Sequence, residues 1–380
     1  MSALGLDGPA LIVAGRSAIR LLSDAWNLSM ADANIAYETH AFGGECCVAE
    51  IERIKEHART AGARVLIGAG GGKALDTARA VASDLNLPVV NCPTVASSDA
   101  PCSALSVVYT EDGAFLQYRI YRKNPDLVLV DTQVIAQSPP RLLVAGMGDA
   151  LATWFEAKTC AEGNVKNMRG GASSQSALAL AELCYRTLLQ DGTHALLATQ
   201  TQVVTPSLER LVEANTLLSG LGFESSGLAA AHAIHNGLTA VPETHAYFHG
   251  EKVAFGVLTQ LTLEGKSRAV MEEVLGFSTS VGLPVTLSGI GLGQMTREML
   301  QRISMRCVAE GETIHNEPFH VTVDMVADAI KAADAIGREW KRSNPPDWLP
   351  RMPFTTGLRL SRKRMRIFTA KRSPSGSWCN

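Results

Sequence analysis

The histidines between residues 232 and 249 carry the clearest chemical signal in the sequence. His232 and His235 lie three residues apart in AAAHAIHNGLTA, so they share one face of a predicted helix. His249 follows after a predicted loop, and Asp149 lies in the helical segment GMGDALATWFEA. Two imidazoles and one carboxylate could hold a catalytic divalent cation with one coordination position left open. The alternative is that these are packed core histidines without a ligand.

A glycine-rich segment, GAGGGK at residues 68–73, directly follows a predicted strand and opens a predicted helix. Residues without side chains let the backbone approach a pyrophosphate, whose charge then lies at the helix N-terminus. The usual dinucleotide fingerprint is not matched, because Lys73 occupies the position of its third glycine. The segment therefore indicates either phosphate binding or only a tight turn.

A second polar segment, PTVASSDAPCS at residues 93–103, follows another predicted strand. Its hydroxyl side chains surround one carboxylate, Asp99, which would suit a ligand rich in hydroxyl groups. The alternative is a polar loop whose Ser, Thr and Asp side chains satisfy their own backbone.

The elements that would position these groups change in character near residue 140. Before it, apolar runs typical of buried parallel strands alternate with helical segments; the runs cover residues 10–14, 64–70, 87–94 and 125–132. A hairpin with Asp112-Gly113 at its turn follows the polar segment. We therefore predict an α/β domain over residues 1–140 with a mainly parallel, Rossmann-like sheet, which is the dinucleotide-binding domain if the glycine-rich segment binds phosphate.

Helical periodicity dominates from residue 141 to about residue 340, and it predicts an all-helical second domain, which contains the candidate metal ligands Asp149, His232 and His249 and would therefore be the metal- and substrate-binding domain. The cleft between two such domains is the expected place for a ligand. Residues 341–380 hold ten Lys and Arg against Asp347 alone, with five prolines. We expect this basic tail to be a disordered appendage, the alternative being an arm for an anionic partner.

The composition limits the classes of partner. Hydrophobic residues make up 46% and charged residues 19%, and the net charge is −2, so neither nucleic acid nor an anionic membrane is an expected partner. No apolar run reaches the roughly 18 residues of a membrane span, and no signal peptide is recognised. The eight cysteines form no C-x-x-C pair, which favours free thiols in a reducing cytoplasm.

Five motifs in order resemble the glycerol dehydrogenases of the metal-dependent (iron-containing-type, group III) alcohol dehydrogenase superfamily. They are GAGGGKALDTA, PTVASSDAPCSALSVVYT, GMGDALATWFEA, ESSGLAAAHAIHNGLTA and HGEKVAFGVLTQL, and the likeness runs from about Phe42 to about Gly337. The resemblance implies a dehydroquinate synthase-like architecture and NAD-dependent oxidation of glycerol, or a similar small polyol, to a ketone. It also implies one Zn²⁺ per subunit, with Fe²⁺ or another divalent metal as alternatives, and a homo-oligomer, often an octamer.

The resemblance assigns roles to individual positions. It implies metal ligands at Asp149, His232 and His249, and a substrate-contacting, catalytic carboxylate at Asp99. His235 is a further catalytic candidate, as a supporting or proton-relay group, or else a packed residue. The implied dinucleotide contacts are Gly71, Gly72, Lys73, Ala74, Leu75, Asp76, Thr94, Val95, Ala96, Ser97, Ser103, Leu105 and Tyr109.

In such a site, a bound metal would lower the pKa of a polyol hydroxyl, so that an alkoxide forms. The alkoxide would then transfer hydride to the nicotinamide. Rival hypotheses are a related diol dehydrogenase, a catalytically impaired copy and, less favoured, a dehydroquinate synthase-like cyclase. A cyclase needs clustered cations for an anionic substrate, whereas the motifs here offer mainly Lys73 and Lys252.

Three departures from the family pattern bear on these expectations. Gly15, followed by Arg16, stands where the family has an acidic residue that holds the adenosine ribose. The NAD preference over NADP is therefore expected to be reduced. We also expect the family's opening segment to be missing, and the likeness ends near Trp340.

Overall fold

Five parallel strands form the sheet of the N-terminal half. In the computed structural model, which describes residues 1–113 and 115–345, these strands are β1 (Ala10–Ala14), β2 (Tyr37–Ala41), β3 (Val65–Gly70), β4 (Val89–Pro93) and β7 (Leu127–Val128). Their order in the sheet is β2-β1-β3-β4-β7, and every neighbouring pair is parallel. β1 and β3 are buried along their whole length, as continuous apolar runs require. The predicted parallel sheet is confirmed.

The edge strand β2 was missed by the sequence analysis. Its sequence, YETHA, contains no continuous apolar run, and only His40 in it is buried. An edge strand faces solvent along one side, so the apolar signal that identified β1 is absent here. The run predicted for residues 125–132 is also wrong in length, because only Leu127 and Val128 pair with β4.

The predicted hairpin is confirmed next to this sheet. Strands β5 (Leu105–Tyr109) and β6 (Phe115–Ile120) pair antiparallel, with Asp112 and Gly113 in the connecting turn. Gly113 has a φ of +87°, a left-handed conformation that glycine adopts without steric cost. The backbone N–H of Tyr109 donates to the carbonyl of Cys46 at 2.8 Å, which ties the hairpin to the α/β half.

Helices pack against both faces of the sheet, and they dominate the described chain from residue 132 onward. The first four are α1 (Arg16–Asp32), α2 (Val48–Thr60), α3 (Gly72–Leu85) and α4 (Thr132–Ala136). The helical half contains α5 (Pro140–Glu162), α6 (Gln175–Gln200), α7 (Pro206–Glu213), α8 (Ser219–Ser226), α9 (Ala230–Leu238), α10 (His249–Leu263), α11 (Arg268–Val281), α12 (Arg297–Cys307) and α13 (Val323–Ser343). The predicted all-helical character is confirmed, while the division into two domains at residue 140 stays a prediction.

The centre of the helical half is built from helices that are apolar nearly all round. Helix α5 buries sixteen of its 23 residues and α10 buries twelve of 15, and both contribute to the largest apolar core cluster. A polar side chain on either helix is therefore held among packed neighbours. This is the part of the fold that positions Asp149 and His249.

The predicted basic tail begins inside the last helix. Lys341 and Arg342 belong to α13, which ends at Ser343. The rest of the predicted tail, from residue 346 onward, lies outside the described residues. Within the part of the chain that the structure describes, no helix is both long and apolar enough to span a membrane.

Candidate active site

Three helices bring the predicted metal ligands together. Asp149 lies in the middle of α5, His232 in the first turn of α9, and His249 is the first residue of α10. His249 Nε2 is 3.0 Å from Asp149 Oδ1, His232 Nε2 is 3.5 Å from the same oxygen, and one ligand atom from each residue lies within 4.8 Å of the others. Two imidazole nitrogens and a carboxylate are a donor set that suits Zn²⁺ or Fe²⁺.

Backbone-to-backbone contact between α5 and α10 sets this geometry. A Cβ atom on Gly250 would lie 1.7 Å from the carbonyl oxygen of Ala145, and one on Gly148 would lie 2.2 Å from the carbonyl oxygen of Gly250. Neither position has room for a methyl group, so the two helices can approach only because both residues are glycine. The close approach places His249 directly beside Asp149.

The three ligands differ in their access to solvent. The Asp149 side chain is 2% exposed and that of His232 is 12%, whereas His249 is 40% exposed. Burial alone would raise the pKa of Asp149, but His249 and His232 outweigh it and hold that pKa below its usual range. The carboxylate is therefore kept ionised, as a metal ligand must be. The open side of the centre lies at His249.

His235 lies behind His249. Its Nε2 is 3.0 Å from His249 Nδ1, and its Nδ1 is 3.1 Å from the side-chain oxygen of Asn236. Burial, then the nearby His249 and Lys252, lower the pKa of His235 well below its ordinary value, which favours a neutral ring. A neutral His235 can accept the Nδ1 hydrogen of His249, so His249 is left to present Nε2 to a metal. The geometry favours a supporting role for His235; catalysis by this residue stays a prediction.

Asp99 lies next to the metal ligands. Its backbone N–H donates to Asp149 Oδ2 at 3.3 Å, and its own Oδ2 accepts a hydrogen bond from the Ser219 hydroxyl at 3.0 Å. Burial, followed by the negative charge of Asp149, raises the pKa of Asp99 well above its usual value. The predicted substrate carboxylate is thus beside the centre, where it could contact a hydroxyl of a bound polyol.

The two polar segments predicted to bind the dinucleotide form neighbouring turns. The backbone N–H of Thr94, after β4, donates to the carbonyl of Gly70 at the end of β3, at 3.1 Å. A Cβ atom on Gly71 would lie 3.5 Å from Val95, and one on Gly72 would lie 3.3 Å from the Ser98 hydroxyl. Gly71 is the N-cap of α3 and provides no side-chain cap. The first amides of α3 are thus available to a phosphate.

Several of the predicted dinucleotide contacts have other partners in the structure. Lys73 Nζ lies 2.5 Å from Glu45 Oε2 and 4.8 Å from the centre of the Tyr109 ring. The Asp76 carboxylate is buried against Arg79 and the Val107 N–H, and burial, opposed by Arg79, raises its pKa to about 6. This carboxylate supports the fold rather than lining the turn.

The remaining predicted contacts lie in α3, in the segment after β4 and at the start of β5. All of them except Ser97 are buried, and the set comprises Ala74, Leu75, Ala96, Ser97, Ser103 and Leu105. All of these dinucleotide contacts stay predictions, since they depend on how the cofactor lies across the turns.

Gly15 joins β1 to α1 beside these turns. A Cβ atom built on it would meet nothing within 4 Å, and its φ of −64° and ψ of 152° suit any residue. Gly70 lies close by, because a Cβ on Gly70 would be 3.9 Å from the Gly15 nitrogen. The backbone here could therefore carry the acidic residue of the family pattern, but this chain supplies no side chain.

Sequence reasoning missed three residues that hold the site together. Glu156 hydrogen-bonds His232, Ser219 hydrogen-bonds Asp99, and Asn236 hydrogen-bonds His235. One signal was present for Glu156, which follows Asp149 by seven residues and so lies on the same face of α5. Ser219 contacts a residue 120 positions away, and no local pattern marks such a pair.

The comparisons with known proteins agree with this arrangement. Residues 1–132 match the family model described as iron-containing alcohol dehydrogenase. A glycerol dehydrogenase from Escherichia coli O6:H1 is 50% identical over 335 residues, which cover 87% of this chain and 91% of the relative. One from Thermotoga maritima is 56% identical over 297 residues, covering 78% and 81%.

A solved structure extends the likeness to the fold. The crystal structure of glycerol dehydrogenase from Schizosaccharomyces pombe superposes with a TM-score of 0.87 at 37% identity, covering 92% of this chain and 88% of the other. The match to the Escherichia coli relative covers 87% of this chain, so it spans both the strand-rich and the helical parts. The chain therefore belongs to the iron-containing alcohol dehydrogenase family.

Proposed function

We propose that this chain is an NAD-dependent glycerol dehydrogenase, which oxidises glycerol to dihydroxyacetone with formation of NADH and a proton. The observation that carries the proposal is the group Asp149, His232 and His249 beside Asp99, close to an uncapped helix N-terminus. Glycerol dehydrogenases from two bacteria, at 50% and 56% identity, support the same substrate.

The proposed metal is Zn²⁺, one per subunit, held by the three ligands, with Fe²⁺ as the alternative. The mixed nitrogen and oxygen donors and the exposed side at His249 fit a catalytic site that keeps one position for substrate. When bound, the cation supplies Lewis acidity, which makes a substrate hydroxyl easier to deprotonate near neutral pH.

The protein's own residues orient the reactants. Asp99 is proposed to accept a hydrogen bond from a second hydroxyl of the polyol, with its carboxyl group held in place by Ser219. The two glycine-containing turns after β3 and β4 are proposed to hold the dinucleotide, with its pyrophosphate at the N-terminus of α3. The buried helices behind Asp149 exclude water from that side of the centre.

The charge distribution favours a neutral polyol over an anionic substrate. Lys73 is paired with Glu45, and burial, with Lys73 nearby, lowers the pKa of Lys252 to about 8. Neither lysine offers the concentrated positive charge that a cyclase acting on a phosphate or carboxylate would need. A small neutral substrate also agrees with the glycerol dehydrogenase relatives. We further propose a cytoplasmic homo-oligomer, on the basis of the family resemblance.

The test is an assay of NAD⁺ reduction by glycerol in the purified protein, before and after treatment with a chelator. We expect activity that the chelator removes and that Zn²⁺ or Fe²⁺ restores, and the metal that restores it at the lower concentration identifies the better fit. A chelated protein that turns over at the original rate would contradict the metal mechanism. Activity on a charged hydroxy acid but not on glycerol would contradict the substrate.

A further inference from the structure

The helix that carries His232 begins with backbone N–H groups that only buried side chains can satisfy. The first N–H groups of any α-helix have no partner within the helix, and burying them unpaired is unfavourable. Three buried side chains accept from four consecutive N–H groups here: Glu156 Oε1 from Ala229 and His232, Glu317 Oε1 from Ala230, and Gln260 Oε1 from Ala231, all at 2.8–3.2 Å. The start of α9 is thus fixed from three sides.

Glu156 differs from the other two acceptors because its second oxygen contacts the His232 ring. Glu156 Oε2 lies 2.6 Å from His232 Nδ1, while Oε1 already accepts two backbone N–H groups. A carboxylate has only acceptors, so the hydrogen of this short contact belongs to Nδ1. When the ring is neutral, as metal ligation requires, its lone pair is on Nε2, the nitrogen that lies 3.5 Å from Asp149 Oδ1.

We propose that Glu156 is a positioning residue that holds His232 in the Nδ1–H tautomer and points its Nε2 at the metal. Glu156 is fully buried and lies two turns after Asp149 on α5, so one helix supplies both a ligand and the support of a second ligand. Carboxylates that accept the second ring N–H of a ligating histidine orient the ring and raise its basicity. The inference rests on the proposed metal site and adds a residue to it.

The deciding variant is Glu156→Gln, which preserves size and removes the carboxylate. Its amide oxygen can still accept the two backbone N–H groups, but its NH₂ group then faces His232 Nδ1, which must become an acceptor. The ring hydrogen moves to Nε2 and blocks metal ligation. We expect the Zn²⁺ dissociation constant to rise by about 10- to 100-fold, measured by competition with a chromophoric chelator on the otherwise intact protein.

The Glu156→Asp variant distinguishes an effect on the His232 tautomer from an effect of side-chain packing alone. Asp leaves a methylene-sized gap but keeps an acceptor-only group near Nδ1, whereas Gln fills the space and carries a donor. The proposal therefore expects Zn²⁺ affinity in the order parent, Asp, Gln. Packing alone would give the opposite order for the two variants, and that result would overturn the proposal.

Glu317→Gln is the matched control at the same helix terminus. Burial, followed by the nearby Glu264, raises the pKa of Glu317 to about 9, so Gln imitates its protonated form at neutral pH. Glu317 caps Ala230 and has no bond to His232, and we expect this variant to bind Zn²⁺ like the parent. Equal losses of Zn²⁺ affinity in Glu317→Gln and Glu156→Gln would show that Glu156 acts only as a helix cap.

One measurement needs no variant at position 156. In Zn²⁺-loaded parent protein labelled with ¹⁵N-histidine, and with the His232 signals assigned by their absence in His232→Asn, the ring should show a protonated Nδ1 and a metal-bound Nε2. The Nε2–H tautomer would overturn the proposal. If instead the parent protein fails to bind Zn²⁺, the proposed metal site itself is wrong.

Discussion

The proposed dinucleotide turns and the proposed metal centre would recognise their ligands in opposite ways. The turns lie within residues 68–103, and they offer backbone amides, glycines and small hydroxyl side chains at the ends of two adjacent parallel strands. The metal centre draws on Asp149, His232 and His249, which come from three helices and span 100 residues of sequence. Each of them also has a hydrogen-bond partner beside it: the Asp99 N–H for Asp149, Glu156 for His232 and His235 for His249.

This difference predicts unequal tolerance to substitution. Backbone recognition survives a change of side chain as long as the chain path is kept, and Gly15 shows that open space exists beside the turns. The metal centre has no such freedom, because its helices touch at glycines and its polar atoms are already paired. The two regions should therefore respond differently to comparable substitutions.

The largest effect is expected from removing a ligand. His249→Ala should abolish glycerol oxidation, because two remaining donors cannot hold a catalytic cation at its working position. Binding of NADH, followed by its fluorescence, should be nearly unchanged, since the turns after β3 and β4 do not contact His249. Turnover near the parent rate would remove His249 from the metal site, and loss of NADH binding would show that the two regions are not independent.

The next effect concerns stability. Gly250→Ala would put a methyl group 1.7 Å from the Ala145 carbonyl oxygen, so α5 and α10 must separate. We expect the free energy of unfolding to fall by about 1–3 kcal/mol or more, with loss of Zn²⁺ affinity. Gly15→Ala is the matched control, because its added methyl meets nothing within 4 Å.

Denaturant unfolding of both glycine variants measures the contrast directly. The Gly15→Ala protein should unfold at the parent midpoint or slightly above it, because alanine restricts the unfolded chain more than glycine does. Equal destabilisation by both substitutions would mean that the close helix contact does not set the geometry of the metal centre.

The third prediction tests the role of Asp99 at the boundary between the regions. Asp99→Asn should lower kcat/KM for glycerol more than for 2-propanol, which lacks a second hydroxyl. A cation held beside Asp99 favours its ionised form, and one charge-assisted hydrogen bond to it contributes about 1.5–3 kcal/mol, which corresponds to a difference of roughly ten- to a hundredfold. Equal losses on the two alcohols would make Asp99 a structural partner of Ser219 instead.

The sequence predicts the strands and the candidate ligands better than it predicts the residues that support them, for physical reasons. Burial on both faces leaves a continuous apolar run, so β1, β3 and β4 could be recognised, whereas the edge strand β2 could not. Histidine spacing and Asp149 indicated the three side chains that the structure brings together, because their residue types are chemically distinctive. Their partners Ser219 and Asn236 are common polar residues, and their role depends on packing between helices far apart in sequence.

The smallest expected effect concerns the choice between NAD⁺ and NADP⁺. An acidic side chain after an early strand accepts hydrogen bonds from the ribose hydroxyls and repels a 2′-phosphate. Gly15 can do neither. Gly15→Asp fits the backbone, since φ and ψ suit any residue and the added Cβ has free space. We expect the ratio of kcat/KM for NAD⁺ to that for NADP⁺ to rise about tenfold, since one charge-assisted hydrogen bond near solvent contributes roughly 1.5 kcal/mol.

Gly15→Asn, which can hydrogen-bond the ribose without the charge, should change the ratio less. An unchanged ratio in Gly15→Asp would show that the turn after β1 does not reach the ribose, and would limit dinucleotide recognition to the turns after β3 and β4.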